Sequence, residues 1–219
     1  HNNRHSFPTR RSSDLQTPRF AQEGMEGEER TLLLELKLLA DVGLLGFPNA
    51  GKSTFISRVS AARPKIADYP FTTLVPHLGV VKYKDAPSFV VADIPGLIAG
   101  ASAGLGMGIS FLRHVERTAL LVHLIDIAEE TRTDAWKNFT AISKELAGFN
   151  PQLLEKPQIV CLNKIDLPFV REKLKKTVAQ FSKKGIMLHP FSAATGEGVQ
   201  EILQKIVTVL NQAKNDDHE

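Results

Sequence analysis

Cysteine occurs once in these 219 residues, at Cys161, tryptophan once and tyrosine twice. A single thiol excludes a disulfide framework and a cysteine-based metal cluster, and it suits a reducing cytosol. Its neighbours Ile159, Val160 and Leu162 mark it as a buried structural thiol rather than a reactive one. Long apolar runs are missing too. The longest covers residues 119–125 and carries His123 within it, far short of the ~20 residues that a membrane-spanning helix needs. The expectation is a soluble cytoplasmic protein that engages no membrane. Charge of one sign is also scarce where it would matter. The chain holds 27 basic and 24 acidic side chains, but residues 1–22 contain four arginines and one acid, so the remainder carries 23 of each. The basic pI is therefore no argument for nucleic-acid binding by the folded part.

What is present reads as one α/β domain with flanking segments, of a size that needs no staples. Residues 1–15 show neither helical nor strand period and read as a disordered, non-native leader. Residues 16–38 read as a linker, with Glu23, Glu26, Glu28 and Glu29 crowded together before Leu32, Leu34, Leu36 and Leu38 alternate as in a strand. The domain proper is expected over 39–212, and 213–219 is an acidic end to a polar tail that starts at Asn211. Within the domain, strands are expected over 42–45, 78–84, 88–93, 119–126, 158–162 and 186–191. Helices are expected over 53–59, about 109–117, 133–146, 169–181 and 199–210. Residues 61–76, with three prolines, read as a loop, and Asp85-Ala86-Pro87 as a tight turn. Five glycines from Gly96 to Gly108 interrupt the next stretch, whose backbone must move or approach something closely. His123 is expected to be a hydrogen-bonded core histidine, and Trp136, Phe139, Ile142 and Leu146 a core helix face. Such alternation predicts a mostly parallel, doubly wound sheet flanked by helices, with ligands at the C-terminal ends of the strands.

The candidate site starts at Gly46-Phe47-Pro48-Asn49-Ala50-Gly51-Lys52-Ser53-Thr54. This fits G-x-x-x-x-G-K-[ST], with an apolar strand before it and a helix after it. Such a loop turns its N–H groups around phosphates while the lysine reaches the β/γ-phosphates and the hydroxyl of Ser53 ligates Mg²⁺. Asp93-Ile94-Pro95-Gly96 closes the strand 88–93. Its carboxylate can hold Mg²⁺ through water, and the Gly96 N–H can bond the γ-phosphate. Asn163-Lys164-Ile165-Asp166 follows another strand, and Asp166 would accept from the ring N–H and amine of guanine, which adenine cannot offer. Ser192-Ala193-Ala194 is placed to offer a backbone N–H to the guanine oxygen. The loop before the second expected strand contains Phe71-Thr72-Thr73-Leu74-Val75, and a threonine there would complete the Mg²⁺ shell. The residues alone do not separate Thr72 from Thr73.

Four motifs in this order identify a Ras-like P-loop fold. Their wording, GFPNAGKST, ADYPFTTL, DIPGLIAGA and FLRHVERT with TPRFAQEGMEGEER ahead of them, resembles the Obg/CgtA family of bacterial GTPases. The resemblance implies that Thr73 is the Mg²⁺ threonine beside Ser53, and that residues 71–75 line the nucleotide. It implies a role in large ribosomal subunit assembly and a response to guanosine tetraphosphate. It also implies that a glycine-rich domain, of which only the exit segment stands here, precedes the GTPase domain. Ala99 and Ala103 stand where the family usually has glutamate, which removes charge from the second switch.

Ras-type hydrolysis orients water with a glutamine after the switch glycine; here that position is Leu97. Intrinsic turnover should be slow, resting on Lys52, Thr73, Gly96, Mg²⁺ and backbone N–H groups. Asn49 is a candidate K⁺ ligand, by resemblance to GTPases that use this asparagine so, against a plain loop-stabilising role. The reading is thus a monomeric GTP-hydrolysing switch. An ATP-hydrolysing relative is opposed by Asp166, and a guanine-nucleotide or alarmone sensor with negligible turnover stays open through Leu97.

Overall fold

The computed structural model describes residue 27 and residues 40–61, 65–66, 77–93, 118–129 and 133–216. The chain divides into two units, His1–Leu36 and Lys37–Glu219, and every named element belongs to the second. The strands are β1 (Val42–Leu45), β2 (Lys65–Ile66), β3 (His77–Val81), β4 (Phe89–Asp93), β5 (Leu120–Ile125), β6 (Gln158–Leu162) and β7 (Leu188–Pro190). The helices are α1 (Lys52–Val59), α2 (Ala135–Phe149), α3 (Pro168–Ser182) and α4 (Val199–Asp216), with a 3₁₀ turn at Pro151–Leu154. The strands form one sheet in the order β2-β3-β4-β1-β5-β6-β7. From β4 to β7 all neighbours are parallel, while β2 and β3 run antiparallel at one edge. Strand order reverses direction around β1, and crevices of that kind receive ligands.

Two apolar faces per strand explain the architecture. Val42, Leu44, Leu120, Val122, Leu124, Ile159 and Cys161 share a core with Phe55 and Ile56 of α1 and Ile202 and Ile206 of α4. The intervening residues point the other way: Leu45 and Leu121 pack with Ile142 and Leu146 of α2, and Val160 and Leu162 with Val170 and Phe181 of α3. A strand covered on both sides is apolar at nearly every position, and all six residues of β5 are buried, His123 being the one polar member. Caps fix the helix starts. Asp134 Oδ1 accepts from the N–H groups of Trp136 and Lys137 at 2.9 and 3.2 Å, and Pro168 opens α3, where its missing N–H costs nothing. Among the described residues no helix is long and apolar enough to cross a membrane.

Several expectations shift. Strand β3 ends at Val81 rather than at 84, because Lys84 adopts φ 50° in a turn closed by Ala86 N–H donating to Tyr83 O at 3.1 Å. That turn therefore begins two residues earlier than Asp85. Helix α4 continues to Asp216, through residues read as tail. Residues 65–66 form a short strand inside the stretch read as loop. The strand expected over 31–39 and the helix over 109–117 lie outside the described residues. Cys161 is buried as expected, and burial pushes its thiol pKa up.

His123 departs from expectation in a more consequential way. It is fully buried in β5 with its ring 5.0 Å from that of Phe139, yet neither ring nitrogen has a hydrogen-bond partner among the described residues. Burial alone lowers its pKa from 6.5 to about 3. Between these values the unfolded chain binds a proton that the folded chain refuses, so stability falls as pH drops through that window. At about pH 5 the loss amounts to roughly 2 kcal/mol. His123→Leu should lose about 2 kcal/mol less than the parent on going from pH 7.5 to 5 in urea unfolding. Equal losses would show that the folded histidine already carries a proton or a partner.

Candidate nucleotide-binding site

The loop between β1 and α1 is built by steric necessity. A Cβ on Gly46 would sit 2.6 Å from Leu124 O, and Gly51, at φ 93°, would drive one into Asn163 Nδ2. Only glycine fits either place. Asn49, at φ 62°, takes the left-handed conformation that asparagine tolerates, in the turn with Pro48. Ala50 is buried and donates to Phe47 O at 3.2 Å, while Phe47 packs beside Leu45 and Leu121. Helix α1 begins with Gly51 as its cap and receives no side-chain cap bond. Its first N–H groups, at Lys52, Ser53 and Thr54, and its positive dipole end thus face an incoming anion.

Lys52 is held across the mouth of this loop, its ammonium donating to Gly46 O at 2.9 Å and Phe47 O at 3.1 Å. It lies 3.9 Å from Asp93 Oδ1 at the end of β4. Burial lowers the lysine pKa, and Asp93 opposes that shift; burial raises the aspartate pKa, with Lys52 and then His77 opposing. Each group lacks solvation that a phosphate or a hydrated cation would restore. Asp93 Oδ1 is buried without a hydrogen-bond partner among the described residues, which is a costly state unless the atom is there for something else.

The turns after β6 and β7 complete the site. Asn163 is buried, its Nδ2 donating to Ala50 O at 2.8 Å and its Oδ1 accepting from Ala193 N at 2.9 Å. It acts as a strut between the two loops. Lys164 adopts φ 65°, and its ammonium meets Asp126 Oδ2 at 2.5 Å. Ile165 is buried, whereas Asp166 is exposed, free to meet a base edge. Ser192 is buried and its Oγ accepts from Thr195 N at 3.1 Å, closing a turn on which Ala194 is exposed. The structure therefore brings together Gly46 to Thr54, Asp93, Asn163 to Asp166 and Ser192 to Ala194. Phe71, Thr72, Thr73, Leu74, Val75, Ile94, Pro95, Gly96, Leu97, Ala99 and Ala103 lie outside the described residues.

Sequence reasoning missed three participants. Asp126 anchors Lys164 and, through its Oδ1, accepts from Ala128 N at 2.8 Å; an acid closing an otherwise apolar strand was the available signal. Glu129 accepts from Asn49 Nδ2 at 3.3 Å, and nothing in its local sequence marks it. Arg58, on the far end of α1, donates Nε to Ala193 O at 2.6 Å and an Nη to Ala194 O. It clamps the turn at Ala193 and Ala194 to the helix that follows the phosphate loop. Arg58→Ala should weaken binding of a fluorescent guanine nucleotide about tenfold, and Arg58→Lys should restore little, because an ammonium lacks the fork. Unchanged affinity in Arg58→Ala would show that the turn holds itself.

The sequence model of the family described as 50S ribosome-binding GTPase matches residues 41–164. Over 200 residues the chain is 64% identical to GTPase Obg of Syntrophus aciditrophicus (strain SB), which covers 91% of this chain and 58% of that protein. It is 58% identical to GTPase Obg of Myxococcus xanthus (strain DK1622) over 200 residues, 91% of this chain and 41% of that one. The chain thus spans about half the length of these relatives. A crystal structure of Era in complex with MgGDPNP and nucleotides 1506–1542 of 16S ribosomal RNA matches with a TM-score of 0.57 and 25% identity, over 78% of this chain and 56% of the Era chain. With a family match across more than half its length, this chain belongs to the family described as 50S ribosome-binding GTPase, and it is similar over some 200 residues to proteins named GTPase Obg.

Proposed function

We propose that the domain binds GTP with Mg²⁺, hydrolyses it slowly to GDP and phosphate, and uses the two states as a switch in large ribosomal subunit assembly in the cytoplasm. The observation that carries this reading is the strut at Asn163, which ties the phosphate loop to the turn at Ala193, with Asp166 three residues away. Phosphate and base recognition then act as one rigid unit. Asp166 would select guanine, since its carboxylate can accept from the ring N–H and the amine of guanine, a pair that adenine does not offer.

The donors suit a hard cation. Asp93 offers a buried oxygen lacking a hydrogen-bond partner among the described residues, and Ser53 an exposed hydroxyl at the start of α1; oxygen donors of this kind match Mg²⁺. Ser53 and Thr73 would hold it directly and Asp93 through water. Bound there, Mg²⁺ would neutralise charge on the β- and γ-phosphates. Lys52 leaves the carbonyls of Gly46 and Phe47 for the same phosphates, and the Gly96 N–H registers the γ-phosphate. Leu97 cannot orient water, so the intrinsic rate stays low. Asn49 would add K⁺ as a further positive charge on the phosphates. Its Nδ2 already donates to Glu129, which leaves its carbonyl oxygen as the ligand end.

The family description, the Obg relatives and the ribosomal RNA bound by Era support the ribosomal role. Guanosine tetraphosphate would use the same phosphate loop. A second reading, a sensor of guanine nucleotides without turnover, is favoured by Leu97 alone. Phosphate release measured with GTP and with ATP, with and without large ribosomal subunits, separates them. We expect slow release from GTP only, stimulated by subunits; no release under any condition would favour the sensor. Lys52→Ala should abolish tight nucleotide binding, and Asp166→Asn should cut the preference for GTP over ATP by about tenfold or more. Retained selectivity in Asp166→Asn would refute the base assignment, and equal rates in KCl and NaCl at matched ionic strength would refute the K⁺ role of Asn49.

A further inference from the structure

On a domain whose charges otherwise balance, α3 and the turn after it concentrate positive charge. Residues 168–185 hold six basic side chains against Glu172 alone. Four of the six, Lys173, Lys176, Lys183 and Lys184, recur at helical spacing and line one cleft of about 610 Å³ between α3 and the start of α2, together with Thr177 and Gln180. Lys175 lies on the opposite side of the helix. Among the described residues no carboxylate pairs with any of the four. Asp134 is the one acid in the lining, and its Oδ1 already accepts two N–H groups as the cap of α2.

The aromatic rings nearby are committed to the lysines. Lys173 Nζ sits 4.0 Å from the ring centre of Phe169, and Lys184 Nζ 5.3 Å from that of Trp136. Cation–π contacts of this kind hold the ammonium groups in place before any partner arrives. They also leave those faces unavailable for stacking bases. Thr177 is buried with its hydroxyl donating to Lys173 O at 3.0 Å, and the ammonium and amide groups that remain, without stacking surface, are the set that contacts phosphate and sugar rather than base edges. The lysines span about eleven residues, on the order of 16 Å along a helix, enough to follow several successive phosphates. A concave surface also suits a protruding backbone better than a flat lipid headgroup layer.

We propose that this lysine-lined cleft is a docking surface for the phosphate backbone of structured RNA, with each of the four lysines neutralising a phosphate. It deepens the ribosomal reading and rests on it only for the source of the RNA. Asp166 and Leu167 directly precede α3, so the docked strand would begin where the base-reading turn ends.

The test uses the whole chain and a fluorescein-labelled RNA hairpin, titrated over a range of KCl concentrations. Replacing the four lysines with glutamine should weaken binding roughly tenfold or more and lower the slope of log affinity against log salt by about 3. Lys175→Gln should change neither. Guanine-nucleotide affinity, equal in all variants, reports that they are folded. The proposal is overturned if the quadruple variant binds RNA like the parent, or if Lys175→Gln weakens it as much as Lys176→Gln. It is equally overturned if the four lysines bind phosphatidylserine vesicles or a polyglutamate peptide and not RNA. Lysine-dependent hairpin binding together with no co-sedimentation with ribosomal subunits would sink the ribosomal reading while sustaining this one.

Discussion

Asn163 commits both ends of its amide to other loops, giving a hydrogen to Ala50 O and taking one from Ala193 N within a fully enclosed setting. Three segments far apart in sequence therefore cannot move independently. The phosphate loop follows β1, the Asn163 turn follows β6 and the Ala193 turn follows β7, and parallel pairing delivers all three to the C-terminal end of the strands. Gly51 is glycine because that amide stands where its Cβ would be. Arg58 reinforces the link from the opposite end of α1 by fixing the carbonyls of Ala193 and Ala194. Buried hydrogen bonds of this sort contribute modestly when made and cost much when half-broken, which is why such a strut specifies a single arrangement.

Around this frame the site stores unsatisfied charge. Lys52 and Asp93 are both pulled toward neutrality by burial, and their mutual attraction at 3.9 Å offsets only part of that. A phosphate and a hydrated cation would supply what each lacks, so binding and charge relief are the same event. The lysine face of α3 is the complementary case. Its charges are largely exposed and solvated, their worth lies in long-range attraction to a polyanion, and it is screened by salt in a way the buried pair is not.

Much of the fold was readable because local chemistry and global position agree. Strands buried on both faces are apolar at nearly every residue, and so are β1, β5 and β6. The glycines and lysine of the phosphate loop are dictated by local geometry, so a linear pattern found them. Asp166 was expected from its motif, and it stands exposed after β6. Limits came where a partner is remote. The end of β3 depends on a turn at Lys84 that composition did not place correctly, and β2, inside a stretch read as loop, exists through antiparallel pairing with His77 and Leu78. That His123 has no hydrogen-bond partner among the described residues rests on what another element places beside it, the ring of Phe139 at 5.0 Å.

Side chains close in the chain, or near-continuous apolar strands, were enough to place the phosphate loop, the acid that ends β4, the aspartate proposed to read guanine and the doubly wound class. Tertiary structure alone decided that Asn163 is a strut, that Arg58 and Asp126 belong to the site, that Glu129 holds Asn49, and that four lysines face one cleft. The hydrogen bonds that tie these residues to their remote partners close 30 to 136 residues of chain, and no local pattern encodes a distance that only folding closes.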